Sequence, residues 1–214
     1  MNTTVYISRH SNKETHYGIT KSNESLVQKD IRRTLTVEGE ENARLMANYS
    51  GLKNIDVVYS SNYARAIATA KYVAHNNDLQ INIDERLRER VIGLDNEFPT
   101  LTPEFQIKQF EDENYKYKHG ESRKEIQNRM NQALFEIINN NKGKRIYITS
   151  HSFAMMCLFI SLGELDRKDG RLKIMINDRN ILENVAWGKH TPELFKLVFD
   201  ENNNIVESYY VEWW

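Results

Sequence analysis

Short apolar runs separated by polar stretches recur along the chain, and this pattern predicts a series of short strands. The runs lie at residues 3–8 (TTVYIS), 55–61 (IDVVYSS), 79–84 (LQINID) and 145–150 (RIYITS). The first of them is typical of a short buried strand. Later in the sequence, ELFKLVFD and NIVESYYVEWW alternate apolar and polar positions around ENNN, which indicates a hairpin.

Helical spacing occurs between these strands. Thr36 is a candidate helix cap. The side of the following helix that faces the core should be formed by Ala43, Met46, Ala47 and Tyr49, or by a near variant of that set. The run at 64–75 (ARAIATAKYVAH) is rich in alanine at helical spacing. Residues 153–162 are apolar on every side and predict a buried helix.

Two polar segments interrupt the alternation, at 11–34 and at 93–120. The second lacks a clear period and resembles an inserted cap or loop. Directly after it, Ser122 and Glu125 have the spacing of an S-x-x-E capping box. The predicted helix behind this box has an apolar stripe formed by Ile126, Met130, Leu134 and Ile137 or Ile138.

Strands that alternate with helices imply an α/β fold, a three-layer α/β/α sandwich around a mostly parallel sheet. The terminal hairpin would place one antiparallel strand at an edge. No repeat or linker divides the 214 residues. We therefore expect a single domain over 1–214 with a cap insertion at 93–120.

The balance of charged residues limits the kinds of partner that the protein can bind. Lys and Arg total 29 and Asp and Glu total 30, for a net charge of -1. This near balance argues against a broad basic surface for nucleic acid or an anionic membrane. Any anion must therefore be held by a local cluster of basic residues.

The remaining features of the composition are consistent with an intracellular protein. Cys157 is the single cysteine and lies in an apolar run, which excludes a disulfide scaffold and favours a buried, inert thiol. No stretch approaches the length of a membrane span, and residues 1–8 lack a secretory pattern. We expect a cytoplasmic protein. Trp213 and Trp214 either cover an apolar face or mediate self-association, so a homodimer stays open.

Candidate chemistry is concentrated where the predicted strands end. Arg9 and His10 follow the first strand, and Arg65 comes one helical turn after the second. Glu89 follows the third strand, and His151 follows the fourth. Ligands of open α/β sheets bind beyond the carboxyl ends of the strands. Two histidines, two arginines and one acid should therefore meet at one edge.

Each of these residues alone has an ordinary structural explanation. A single arginine is usually a solvated charge, a single histidine at a strand end is usually a surface or capping residue, and Glu89 lies in a charge-rich loop. Their occurrence together at four strand ends makes the ordinary explanations less credible as a set. The alternative is a site that handles phosphate.

Six motifs in order resemble the histidine phosphatase superfamily, whose members include the cofactor-dependent phosphoglycerate mutases. They cover roughly residues 1–190, and they are SRHS at 8–11, LTVEG at 35–39, SSNYARAIATA at 60–70, LRERVIG at 87–93, GES at 120–122 and SHS at 150–152. The resemblance implies that His10 is the nucleophile that becomes a phosphohistidine. It also assigns Arg9, Arg65 and His151 to the phosphate pocket and Glu89 to the role of proton donor.

The sequence departs from the family pattern near both histidines. Ser11 and Ser152 replace the usual glycines, and each either donates to phosphate or crowds the pocket. His16 stands where many members have asparagine, in a connection that is longer than usual. Ser11, Asn12, His16 and Ser152 are therefore candidate substrate-binding residues.

The resemblance implies a phosphomonoesterase that hydrolyses a small phosphorylated metabolite. An unprotonated imidazole is required, and Arg9 and Arg65 should lower the pKa of His10. A backbone carbonyl is the expected acceptor for the other ring nitrogen. We expect no cofactor, and the histidines lack the spacing of a metal site.

Two alternatives remain open at this point. One is a mutase that returns the phosphoryl group to the same molecule, although the chain is shorter than typical phosphoglycerate mutases and lacks their segment after the nucleophile. The other is a non-catalytic module that binds a phosphorylated ligand. Ser11 and Ser152, which replace the usual glycines, keep this alternative open.

Overall fold

A central six-stranded sheet organises the molecule. The computed structural model describes residues 1–18, 21, 23–93, 102–166, 172–185 and 188–214. The strands are β1 (Thr3–Arg9), β2 (Val57–Ser60), β3 (Ile81–Ile83), β4 (Arg145–Ser150), β5 (Glu164–Asp166), β6 (Lys173–Ile176), β7 (Arg179–Asn180), β8 (Leu194–Phe199) and β9 (Ile205–Val211). The main sheet has the order β3-β2-β4-β1-β8-β9, and β5, β6 and β7 form a small separate sheet.

Strands β3, β2, β4 and β1 are parallel, whereas β8 runs antiparallel to β1 and β9 antiparallel to β8. The predicted terminal hairpin is thus present, and it forms one side of the sheet. Within this hairpin, β8 lies next to β1 and β9 forms the edge.

Helices cover both faces of the sheet. They are α1 (Leu26–Ile31), α2 (Val37–Met46), α3 (Ala64–Asn76), α4 (Pro103–Glu111), α5 (Arg123–Asn140) and α6 (Ser152–Leu162). Because side chains alternate across a strand, Val5 and Ile7 of β1 pack with the α5 and α6 side. Tyr6 packs on the other side with residues of α2 and α3. The three-layer α/β/α sandwich is therefore confirmed.

Local sequence signals account for several helix boundaries. The Thr36 hydroxyl accepts a hydrogen bond from Gly39 N at 2.9 Å and begins α2. Ser122 and Glu125 form the predicted capping box at the start of α5. The stripe behind this box is buried, with Ile126, Met130 and Leu134 in the core.

The two polar segments contain helices that the apolar pattern did not predict. Helix α1 lies within 11–34 and has no buried residue. Helix α4 lies within 93–120, where Phe105 is buried and stacks on Tyr117 at a centroid distance of 4.0 Å. Residues 94–101 of the expected cap lie outside the described residues. Among the described helices, none is both long enough and apolar enough to cross a membrane.

Candidate active site

The register of the parallel strands brings the two histidines together. Arg9 of β1 lies opposite Ser150 of β4, so the residues that follow, His10 and His151, leave the sheet side by side. Their ring centroids are 5.2 Å apart. Both side chains are buried, with 4% of His10 and none of His151 exposed.

His10 has one ring nitrogen fixed by the backbone. Its Nδ1 lies 2.6 Å from the carbonyl oxygen of Ser11. A carbonyl can only accept, so Nδ1 carries the proton and Nε2 keeps an unshared electron pair. The expected backbone acceptor is therefore present, and it leaves the unshared electron pair on Nε2.

The surroundings of His10 oppose a positive charge on the ring. Burial lowers the pKa of His10 well below its ordinary value of 6.5, and the charges of Arg65 and Arg9 lower it further. The expected effect of the two arginines is confirmed, but burial is the larger cause. The neutral ring is the form that can attack phosphorus.

The two arginines are oriented by acids that come from outside the parallel strands. Arg9 Nη1 lies 3.3 Å from the buried carboxylate of Glu193, just before β8. Arg65, on the first turn of α3, is 1% exposed and donates from Nη2 to Asp30 Oδ2 at 3.0 Å. In both arginines Nε is buried without a hydrogen-bond partner among the described residues. Such donors are suited to an anionic ligand.

His151 contributes a further buried nitrogen. Its Nε2 lies 2.8 Å from Ser61 Oγ, which follows β2. Its Nδ1 is buried and, within the described part of the chain, has no hydrogen-bond partner. Burial, the neighbouring His10 and Arg65 lower the pKa of His151 well below its ordinary value. The ring is thus neutral at physiological pH.

The Glu89 side chain reaches the N-terminus of α6 from the loop that follows β3. Its carboxylate accepts hydrogen bonds from Ala154 N at 3.2 Å and Phe153 N at 3.4 Å. Arg90 N donates to the same carboxylate at 2.9 Å. The backbone N–H donors at a helix N-terminus have no partner within the helix, and the Glu89 side chain satisfies two of them. This contact fixes where Glu89 points.

A network of charges supports the loop that carries Glu89. Glu121 accepts from Arg88 at 2.5 and 2.8 Å and from Val91 N at 2.8 Å, on either side of Glu89. Arg129 of α5 donates to Glu121 at 2.8 Å and to the carbonyl of Arg88 at 2.8 Å. The Glu-Ser pair of the GES motif is therefore structural here, with Glu121 bracing the loop and Ser122 capping α5.

The strand ends open into a cavity of about 670 Å³. Its polar lining includes Arg9, His10, Lys13, Asp30, Arg33, Arg65 and Glu89. Its apolar lining includes Leu26, Val27, Val91, Ile92, Phe153 and Met156. Gln106 of α4 also lines the cavity, so part of the 93–120 segment reaches the site. A volume of this size suits a small organic molecule.

The four candidate substrate-binding residues have different positions. Ser152 lines the cavity. Ser11 is fully buried, and its N–H donates to Thr69 Oγ1 at 2.9 Å. The Asn12 side chain accepts a hydrogen bond from Thr191 Oγ1, and His16 lines a separate groove with Arg32. Asn12 and His16 are not among the described residues that line the cavity, although Lys13 and Tyr17 from the same segment are.

Sequence reasoning did not identify four charged residues of the site. They are Lys13, Asp30, Arg33 and Glu193. None belongs to a motif or directly follows a parallel strand. A signal was available only for Lys13, which lies three positions after His10.

A neutral histidine and two neighbouring arginines lie at the strand ends of a parallel sheet. This arrangement defines a class of α/β protein whose site is suited to a phosphoryl group. The family model for the histidine phosphatase superfamily (branch 1) matches residues 5–196. The chain belongs to this superfamily, as the motifs indicated.

Two curated relatives of the chain are named as probable phosphoglycerate mutases. A probable phosphoglycerate mutase (GpmB) of Serratia proteamaculans is 31% identical over 160 residues, which cover 72% of each chain. The protein of the same name from Yersinia enterocolitica is 30% identical over 164 residues, which cover 74% of each chain.

Solved structures with the same fold include phosphatases. A mycobacterial glucosyl-3-phosphoglycerate phosphatase matches with a TM-score of 0.68 and 17% identity, over 98% of this chain and 97% of the other. A mutant phosphoserine phosphatase from Entamoeba histolytica, in complex with phosphoserine, matches with a TM-score of 0.66 and 20% identity over 96% of both chains. At these identities the likeness establishes the fold.

Proposed function

We propose that this protein is a phosphomonoesterase that hydrolyses a small phosphorylated metabolite through a phosphohistidine on His10. The observation that carries the proposal is the environment of His10 Nε2. The tautomer of His10 is set by the Ser11 carbonyl, and the charges of Arg65 and Arg9 act on its ring. Each of these arginines has a buried Nε without a hydrogen-bond partner among the described residues. Planar, permanently charged guanidinium groups are suited to the oxygens of a phosphoryl group in transfer.

In the first step, His10 Nε2 attacks phosphorus. A P–N bond forms, the P–O bond to the leaving group breaks, and the electron pair of that bond stays on the leaving oxygen. Glu89, protonated at this moment, gives its proton to that oxygen and releases an alcohol. Arg9, Arg65 and His151 are the groups that hold the phosphoryl oxygens.

In the second step, water replaces the alcohol. Glu89, now a carboxylate, takes a proton from the water molecule, and the water oxygen attacks phosphorus. The P–N bond breaks, and its electron pair returns to His10 Nε2. Inorganic phosphate leaves, and the starting protonation states are restored. The scheme uses side chains alone and requires no cofactor.

A mutase is the second candidate, because the curated relatives are named as mutases. The charge of the polar lining favours hydrolysis. With Glu89 protonated for the first step, it carries four cations, Arg9, Lys13, Arg33 and Arg65, and two carboxylates, Asp30 and Glu193. Arg90 is already engaged by Gln109 and the Phe153 ring. The difference of two positive charges matches one phosphomonoester, which carries about two negative charges. A bisphosphorylated intermediate would bring about four.

The nucleophile is tested by comparing His10→Ala with His75→Ala, which alters an exposed histidine of α3. His10→Ala should lower the turnover of an aryl phosphate by at least about a thousandfold, because the covalent step is lost. His75→Ala should retain full activity. A phosphoenzyme label that survives alkali and is lost in acid should form in the wild type and not in His10→Ala. Equal hydrolysis by His10→Ala and wild type would refute the proposal.

The mutase is tested separately. The wild type is incubated with 3-phosphoglycerate and a trace of 2,3-bisphosphoglycerate, and isomer formation and free phosphate are measured together. We expect phosphate release from the preferred substrates and little isomerisation. Rapid isomerisation with little free phosphate would replace the phosphatase by the mutase.

A further inference from the structure

Asp30 makes the main acidic contact to Arg65, and it comes from a helix that no family motif includes. Its carbonyl oxygen accepts from Arg65 Nη1 at 2.7 Å, and its Oδ2 accepts from Nη2 at 3.0 Å. Lys13 pairs with Leu35 in an isolated bridge, which closes the base of the excursion that contains α1. The position of Asp30 is thereby tied to the loop after His10.

The contact fixes the plane of the Arg65 guanidinium. One N–H of each Nη is engaged by Asp30, and Nε is buried without a partner in the described ranges. Arginine has five N–H donors in a rigid fork. Three of the five therefore remain for a ligand, and their direction is set by the two that Asp30 holds.

The same carboxylate gathers two more cations. Asp30 Oδ1 lies 3.6 Å from Lys13 Nζ and 3.6 Å from Arg33 Nε. Like charges this close repel one another, particularly where burial weakens the screening by water. A single shared carboxylate offsets that repulsion and keeps the three cations together in the polar lining of the cavity.

We propose that Asp30 is a positioning residue, which holds Arg65 and collects Lys13 and Arg33 so that their donors converge on the phosphoryl group. This inference rests on the proposed function. The competing idea is that Asp30 occupies the place of the phosphate and must be displaced. The two ideas predict opposite signs, since removal of a positioning acid weakens phosphate binding and removal of a competitor strengthens it.

The test compares three variants of the full chain. Asp30→Asn removes the charge, Asp30→Glu keeps it, and Glu24→Gln is the matched control on the same excursion. Glu24 pairs with Arg32 at 2.5 Å and not with Arg65. We measure kcat and KM for an aryl phosphate, and the Kd of inorganic phosphate by calorimetry. Helix α1 has no buried residue, so the variants should fold.

Asp30→Asn should raise the phosphate Kd and lower kcat/KM by about 10–100-fold, the range seen for partners that orient metal ligands. Both kcat and KM should change, because Arg65 acts in the ground state and in the transition state. Asp30→Glu should recover part of the loss, and Glu24→Gln should match the wild type. In an Arg65→Ala background, Asp30→Asn should have a smaller effect than in the wild type, because only Lys13 and Arg33 then remain for Asp30 to hold.

Several results would overturn the inference. Tighter phosphate binding by Asp30→Asn would identify a competitor, and unchanged kinetics would remove any role. If Asp30→Asn does not fold, Asp30→Ser is measured in its place against the same expectations. An active wild type with an inactive His10→Ala, but no effect at Asp30, refutes this inference alone. A wild type that neither hydrolyses nor binds phosphate refutes the proposed function as well.

Discussion

Replacing Glu121 with glutamine should weaken both the fold and the loop that carries Glu89. Burial acts to raise the pKa of Glu121, but hydrogen bonds from Arg88 and Arg129 outweigh it and lower that pKa from 4.5 to about 2. The Glu121 side chain is 14% exposed, so water screens these contacts only weakly.

The size of the effect follows from the pKa. Each pKa unit corresponds to about 1.4 kcal/mol, so the ionised carboxylate adds about 3 kcal/mol to the free energy of unfolding at pH 7. A group whose pKa is lower in the folded state stabilises the fold when the pH is above its unfolded-state pKa. This stabilisation is lost as the pH falls through its folded-state pKa. The contribution should therefore decline between about pH 4.5 and pH 2, to about 2 kcal/mol at pH 3.5.

Urea unfolding, followed by circular dichroism, measures this difference at both pH values. Glu121→Gln should be less stable than the wild type by about 3 kcal/mol at pH 7 and by about 2 kcal/mol at pH 3.5. The matched control is Glu113→Gln, which breaks a surface pair with Lys124 and should cost less than about 1 kcal/mol. A gap that is as large at pH 3.5 as at pH 7, or no gap at pH 7, would refute this reasoning.

Two further predictions concern the nucleophile and the loop behind it. NMR titration of the His10 ring should show no protonation as pH falls through 6.5, because burial, Arg65 and Arg9 hold its pKa well below that value; a midpoint near 6.5 would contradict the site geometry. Gly39→Ala should cost about 1–3 kcal/mol in urea unfolding, because a Cβ there would lie 2.1 Å from the Asn12 carbonyl oxygen. The control is Glu38→Ala, which alters an exposed neighbour on α2. Equal stability of the two variants would show that the loop at Asn12 moves to accommodate the added Cβ.

The apolar pattern predicted the parts of the fold that bury apolar side chains. Strands β1, β2 and β4, the terminal hairpin and helices α2, α3, α5 and α6 all have such a face, and all are present. Strand β3 is also present, although Ile81 is only partly buried and Ile83 is exposed. Helix α1 gave no signal because it buries nothing. Helix α4 was not predicted because its buried residues are Phe105 and Gln109, and only one of them is apolar.

The candidate site was predictable where chemistry follows a strand directly. His10, Arg65 and His151 could be placed at one edge because parallel strands share that edge. Asp30 and Glu193 could not, because each reaches an arginine from a segment that has no sequence link to it. Their pairing depends on the tertiary fold, at separations of 35 and 184 positions.

The position of β1 in the sheet has a consequence for how the protein is made. This first strand is central, and its neighbours β4 and β8 are synthesised much later. Pairings between distant segments form slowly, and an unpaired strand edge invites association with other chains. A growing chain therefore carries β1 with one side open until residues 194–199 have emerged, and Arg9 gains its carboxylate partner only at that stage.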